Sequence, residues 1–256
     1  MRLSFVLAAA LVCGSPAIGS AQVQVPSRGW FDINFAAVNP HQGPQQSTTI
    51  AVSASGLPAI VDATIPELST GIGAGAEAGF NFAKGIGVGV RYEEARWEYA
   101  SEIAVVASDP VFLFGTATDS DVTGDDLERR ERTIDFSVQW TAPLNQRITI
   151  RMFAGPTLHY VDQDMVSNVA FAPTFDPAGQ ISGVAITGHE QRRVEASTVG
   201  FHVGGDVAVF FSRHIGVGVG VRSNHADVDI TDPLSNEPAT LSLTRFTLST
   251  GLRVRF

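Results

Sequence analysis

Past residue 21 this chain contains no cysteine, since the only one is Cys13. Disulfide staples and thiol chemistry are therefore excluded from the rest of the chain. It also lacks, past that point, any apolar run of the ~18 residues a membrane-spanning helix needs. Charge is sparse, with Asp, Glu, Lys and Arg making up 17% of the residues. The basic side is the shorter one: 17 Lys and Arg stand against 26 Asp and Glu, for a formal charge of -9. Phosphate backbones are held by clustered Lys and Arg, so nucleic acid is excluded as a partner. No linker or composition break divides the 256 residues, which suffice for one large all-β domain.

What is present begins with an export signal. Arg2 is a short positive segment, "LSFVLAAALVCG" an apolar core, and "SPAIGSA" a run of small residues before a cut after Ala21. Val12 before Cys13 is not the small residue that a lipoprotein signal wants. Residues 1–21 are thus expected to be a cleaved signal peptide, 22–27 a short extension, and 28–256 a single domain.

Period-2 alternation predicts eight strands. They fall in "WFDINFAAV", "GIGAGAEAGFNF", "IGVGVRYE", "TIDFSVQWT", "RITIRMFAGPTLHY", "TVGFHVGGDVAVFF", "IGVGVGVRSN" and the C-terminal stretch from about Leu241 to Phe256. Pro156 suggests a bulge in the fifth. The connections "AKG", "APLNQ" and "SRH" are tight, whereas those near 39–70, 100–129, 162–193 and 225–240 are long. In an up-and-down meander alternate connections share an end, so one end carries short turns and the other long loops.

Three features decide which face meets which solvent. Glycines crowd the polar face of the second, third and seventh strands, where they relieve crowding inside a narrow barrel. The same face carries Asp32, Glu77, Arg91, Glu93, Asp135, Arg151, Asp206, Arg222, Arg245, Arg253 and Arg255, a near-balanced set suited to pairing in a confined interior. Aromatics punctuate the aliphatic face: Phe201 and Phe211 are ten residues apart, as are Phe246 and Phe256. Ten residues at a ~45° tilt project to roughly 23 Å, near the ~25 Å apolar band of a membrane barrel with its aromatic girdles. Phe82, Trp140, Phe211 and Phe256 all lie beside the tight-turn end. The aliphatic face is therefore outside, in an eight-stranded antiparallel transmembrane β-barrel.

In this pattern residues 28 to 256 resemble the small eight-stranded outer-membrane proteins of the OmpA/OmpX type, also called opacity-like proteins. The resemblance implies short periplasmic turns, long extracellular loops, a monomer contacting outer-membrane lipids, and no cofactor. It also implies that "FTLSTGLRVRF", with Phe246, Leu248, Leu252, Val254 and the final Phe256, is similar to the signal read by the barrel-assembly machinery. No peptidoglycan-binding domain follows, unlike in the two-domain members.

Residues with chemistry are few. Of six histidines, His159 and His202 fall on the interior face, where hydrogen-bonded lumen residues are expected. "RSNHAD" places Ser223, Asn224 and His225 at the rim; it resembles in part the His-x-Ser-Asn order of lipid A deacylases, but here the His follows the Asn, and no enzyme is expected. "DSDVTGDD" (119–126) matches part of a Ca²⁺ loop, yet position 12 is Arg130 rather than the bidentate Glu, so no metal site is assigned. Glu77 and Arg91 are expected to oppose each other about Lys84, with Phe82 facing Ile86. With Asp135, Arg151, Asp206 and Arg222 they would form a mid-barrel layer that plugs the lumen. Acids dominate the long loops, which points to a surface role through an acidic extracellular rim. A narrow channel is the alternative, and an outer-leaflet lipid-modifying enzyme a more distant one.

Overall fold

The computed structural model describes residues 28–41, 45–53, 56, 58–83, 85–108, 116–122, 127–179 and 181–256. The expected signal peptide and Lys84 lie outside them. The strands are β1 (Gly29–Pro40), β2 (Gln45–Val52), β3 (Pro58–Ile65), β4 (Gly71–Ala83), β5 (Ile86–Tyr99), β6 (Glu102–Ser108), β7 (Thr116–Val122), β8 (Leu127–Pro143), β9 (Ile148–Phe175), β10 (Ile181–Phe210), β11 (Ile215–His225), β12 (Asp227–Thr231), β13 (Pro238–Ser242) and β14 (Arg245–Arg255).

Eight of these close into an antiparallel barrel in the order β1-β14-β11-β10-β9-β8-β5-β4. The last strand pairs with the first, Trp30 opposite Arg255 and Phe35 opposite Thr250. Phe256 completes the closure: its backbone N–H and C=O both bond Gly29 at 2.9 Å. Its ring occupies the space a Cβ at residue 29 would need, which is why a glycine stands there.

Outward-facing side chains on the lower barrel are apolar. Ile86, Val88, Val90 and Tyr92 on β5 face out, as do Ile33 and Phe35 on β1 and Val217, Val219 and Val221 on β11. Phe82, Trp140, Phe211 and Phe256 project outward beside the tight turns. Alternate residues point inward and are mostly polar or glycine, with Trp30, Phe153 and Phe210 among them. This inside-out polarity fits lipid around the barrel wall and gives the backbone no unpaired edge within the membrane.

The β4–β5 register pairs Glu77 with Arg91 and continues to Asn81 opposite Gly87. A register shift then puts Ala83, not Phe82, opposite Ile86, because the turn closes on Gly85 at φ 86, a conformation glycine adopts without strain. At Pro156 no bulge forms. The β8–β9 ladder keeps one register, from Asp135 opposite Thr157 to Val138 opposite Ala154.

The long connections are largely ordered strand rather than irregular loop. β9 and β10 run 28 and 30 residues, where ~10 suffice to cross a bilayer. A large part of each therefore stands beyond the membrane. β2, β3, β6 and β7 form a separate four-stranded sheet, and β12 and β13 a hairpin. Ala59, Val61 and Ala63 of β3 with Ile103, Val105 and Ala107 of β6 bury against Val166, Val169, Phe171 and Val184 of the β9–β10 extension. The extracellular part thus has a hydrophobic core of its own.

Candidate functional site

The barrel interior is layered. At the floor, the Trp30 indole lies where side chains at Gly79 and Gly89 would otherwise be, so the glycines of β4 and β5 make room for one large ring. The Arg151 guanidinium stacks on that ring at 3.9 Å from its centroid.

Above Trp30 sits a layer of four acids and four bases: Asp32, Glu77, Asp135, Asp206, Arg91, Arg151, Arg222 and Arg253, all buried. Arg253 grips Asp32 through Nε at 2.8 Å and Nη2 at 2.6 Å, and reaches Asp206 through Nη1 at 2.7 Å. Arg151 Nε donates to Asp206 at 2.7 Å. Arg222 pairs with Asp135. Glu77 stands among three arginines, at 3.2 Å from Arg151, 3.7 Å from Arg222 and 3.8 Å from Arg91. The directly opposed Arg91 is paired more closely with Glu93, two residues along its own strand. Beside this layer, along the Gly218, Gly220 and Gly251 wall, only about 30 Å³ is open, the room of about one water.

A second layer lies higher. Arg245 Nη2 donates to Glu93 at 2.8 Å and Nη1 to Glu131 at 3.1 Å, and Arg129 Nε donates to Glu131 at 2.8 Å. Glu131 and Arg129 were not anticipated, whereas Arg255 was expected inside and is not part of either layer. It lies at the periplasmic end over the Phe210 ring, donating to the Arg213 and Gln146 carbonyls at 2.8 and 3.1 Å. The interior set is six acids and six bases, and so neutral.

Of the two interior histidines, His202 Nδ1 is 2.8 Å from Thr157 Oγ1, while both ring nitrogens of His159 are without a hydrogen-bond partner, contrary to expectation. Thr133 and Thr198 stand opposite His159 across the two ladders, and neither bonds its ring.

An apolar plug closes the outer mouth. Val38, Ala95, Trp97, Tyr99, Leu127, Val161, Met165, Val228, Ile230, Leu241 and Leu243 are buried in one cluster directly above the second charge layer. Around its outside runs a belt of ion pairs, beginning one outward position above Tyr92. Glu94 binds Arg96 at 2.8 Å and Arg130 at 2.7 Å, Arg132 binds Asp162 at 2.9 Å, and Arg193 binds Asp164 at 2.9 Å. Hydrogen bonds from Arg130 and then Arg96 outweigh partial desolvation and hold the Glu94 carboxyl down to about 2.

The rim residues do not assemble a reaction centre. Ser223 and His225 point outward and Asn224 inward. The His225 ring is engaged elsewhere, its Nδ1 2.8 Å from Thr244 Oγ1. Asp119 and Asp121 lie on β7, opposite Val105 and Ile103. Extended backbone there does not wrap an ion as a Ca²⁺ loop does, and residues 123–126 lie outside those described. Phe246, Leu248, Leu252 and Phe256 of the C-terminal strand all face outward, with Val254 half-buried on the same side.

No family model matches the chain, and no curated protein does. Among solved structures it is similar to Neisserial surface protein A, with 13% identity and a TM-score of 0.46 over 91% of this chain and 100% of that one. It is similar to OprG from Pseudomonas aeruginosa at 13% identity and a TM-score of 0.47, covering 90% and 97%. The attachment invasion locus protein Ail of Yersinia pestis gives 9% and 0.39, covering 91% and 100%. At such identities and scores nothing about activity passes from those proteins to this one. The architecture rests on the chain's own closed barrel and its inside-out polarity.

Proposed function

We propose that this chain is an exported outer-membrane surface protein: a plugged barrel that anchors an extracellular β-structure whose role is non-enzymatic contact. The observation that carries the reading is the apolar face of the extracellular sheet. Ile50 of β2 stands opposite Ile60 of β3, which stands opposite Val106 of β6. Ile50 and Val52 are 77% and 65% exposed and Ile60 46%. Among the described residues β2 pairs only with β3, and its other edge carries no ladder partner there. Its sequence, QQSTTIAV, holds none of the charges or prolines that natural edges use to repel partners. Such an edge, with exposed β-branched residues, suits addition of an extended strand from another molecule. The acid-rich outer segments would steer the choice of partner.

The mouth plug and the charge layers speak against the channel alternative. Purified, refolded protein in planar bilayers is expected to show no steady conductance, and stable nanosiemens-scale steps would overturn the plugged-anchor reading. Cells displaying the wild-type protein should adhere to surfaces or to one another more than cells displaying Ile50→Lys/Val52→Lys, at equal surface levels. Equal adhesion by both would remove β2 as the contact edge.

A further inference from the structure

Beside the apolar plug, β2, β3, the extended part of β9 and the β12–β13 hairpin line a partly open cavity of about 250 Å³. By water's ~30 Å³ share of liquid volume this is room for about eight waters, or one organic molecule of about ten non-hydrogen atoms. Its walls include Ile65, Met165, Val166 and Ile230, and no Lys or Arg lines it. Two polar groups in this wall lack what their burial demands. Ser47 Oγ is buried without a hydrogen-bond partner. Asp232 is 5% exposed, and its carboxylate touches only backbone: Oδ1 accepts from the Leu234 and Ser235 N–H groups at 2.7 and 3.2 Å. No cation pairs with it among the described residues.

The contrast with the lumen is direct. Each buried acid of the two charge layers has an arginine within ion-pair distance, as a carboxylate removed from water requires. Asp232 alone is left with a cavity in front of it. The hairpin segment 227–242 that carries it has four acids and no base, so the local field gathers cations.

We propose that this cavity is a binding site for a small organic ammonium ion. The ammonium sits on the Asp232 carboxylate, the apolar body packs along Ile65, Met165 and Ile230, and Ser47 Oγ is free to bond a polar group on the ligand. The site is separate from the β2 edge and stands whether or not that edge makes contacts.

The test uses the mature chain in lipid nanodiscs with Ile and Met methyl groups labelled for NMR. The probes are phenethylamine, 2-phenylethanol and 3-phenylpropionate, of matched size and differing in charge. Phenethylamine is expected to shift the Ile65, Met165 and Ile230 methyls saturably. The alcohol should bind about tenfold to a hundredfold more weakly, the difference a charge-assisted hydrogen bond makes, and the acid should give no saturable shift. Asp232→Asn keeps the oxygen that caps the turn, so the hairpin stays folded while amine affinity falls to that of the alcohol. Three outcomes overturn the proposal: no saturable shift with the amine, equal affinity for all three probes, or unchanged amine affinity in Asp232→Asn.

Discussion

β5 passes through two regions of opposite design. From Ile86 to Tyr92 its outward residues are apolar, while inward stand Gly87, Gly89, Arg91 and Glu93. From Glu94 to Tyr99 the arrangement reverses: Glu94, Arg96 and Glu98 face out, and Ala95, Trp97 and Tyr99 face in. On β8 the outward face changes from Ile134 to Arg132, although Glu131 and Arg129 still face inward, and on β9 it changes from Tyr160 to Asp162. The strands, the pleat and the hydrogen-bond ladders run on unchanged. Only the solvent outside changes, from hydrocarbon to water. An alternating strand fixes that two faces differ, and the surrounding medium decides which is turned outward. The lower region holds itself together by neutral charge pairing inside, the upper one by an ordinary apolar core.

Equivalent lesions in the two regions should therefore fail differently. The largest effect is expected for Glu77→Ala, which leaves four arginines facing three acids in the lower layer. Breaking a buried charge network typically costs ~3–5 kcal/mol, read as a lowered urea midpoint of the refolded barrel in micelles. A loss below ~1 kcal/mol would mean that water reaches this layer. Next is Leu241→Ala in the mouth plug, at ~2–5 kcal/mol for a buried leucine. Here the loss should appear as proteolysis and amide exchange in β12, β13 and the β9–β10 extension, with the heat-modifiable gel shift of the barrel retained. Joint melting of both regions would show that they are one cooperative unit.

Phe256→Asp is expected to be thermodynamically mild, ~0–1 kcal/mol for a charge at the membrane edge. Reduced insertion in cells is nevertheless expected, because the proposed role of this residue is recognition during assembly. Normal surface levels would refute that role. The smallest effect concerns the charge belt. The Glu94 carboxyl is held at about 2 by Arg130 and Arg96, below its unfolded value of ~4.3. Its contribution is thus present above pH ~4.3 and lost as pH falls from there toward 2. Being mostly solvated, the pair contributes little. Arg130→Ala should raise the Glu94 titration midpoint in ¹³C-carboxyl NMR, and an unchanged midpoint would assign the effect to another group.

The lower region was legible in the sequence because lipid and lumen impose a sharp contrast on alternate residues. "IGVGVRYE" and "TIDFSVQWT" carry it plainly, and with it the strand count and the opposition of Glu77 to Arg91. Legibility fails where the contrast does. In "LERRER", Arg129 and Glu131 face inward and Glu128, Arg130 and Arg132 outward, so charge sits on both faces and the second lumen layer is invisible. In "PAIVDATI" both Ile60 and Val61 are apolar though one is exposed and the other buried. The extracellular sheet therefore leaves no period-2 signal, and its strands read as loop. The cavity at Asp232 is set by β3, β9 and the β12–β13 hairpin, which are distant in sequence, and no local pattern announces it.

The exchange of faces at the membrane boundary is tested most directly by cysteine scanning along β9, since the chain past residue 21 has no cysteine of its own. Single cysteines at 158, 160, 162 and 164 sample the outward face across the boundary, and those at 159, 161, 163 and 165 the inward face. With a membrane-impermeant maleimide on intact cells, 162 and 164 should react, while 158, 160 and every inward position remain protected. Reaction at 158 and 160 equal to that at 162 and 164, or free reaction at 161, 163 and 165, would contradict a boundary at Tyr160 and a plugged mouth above it.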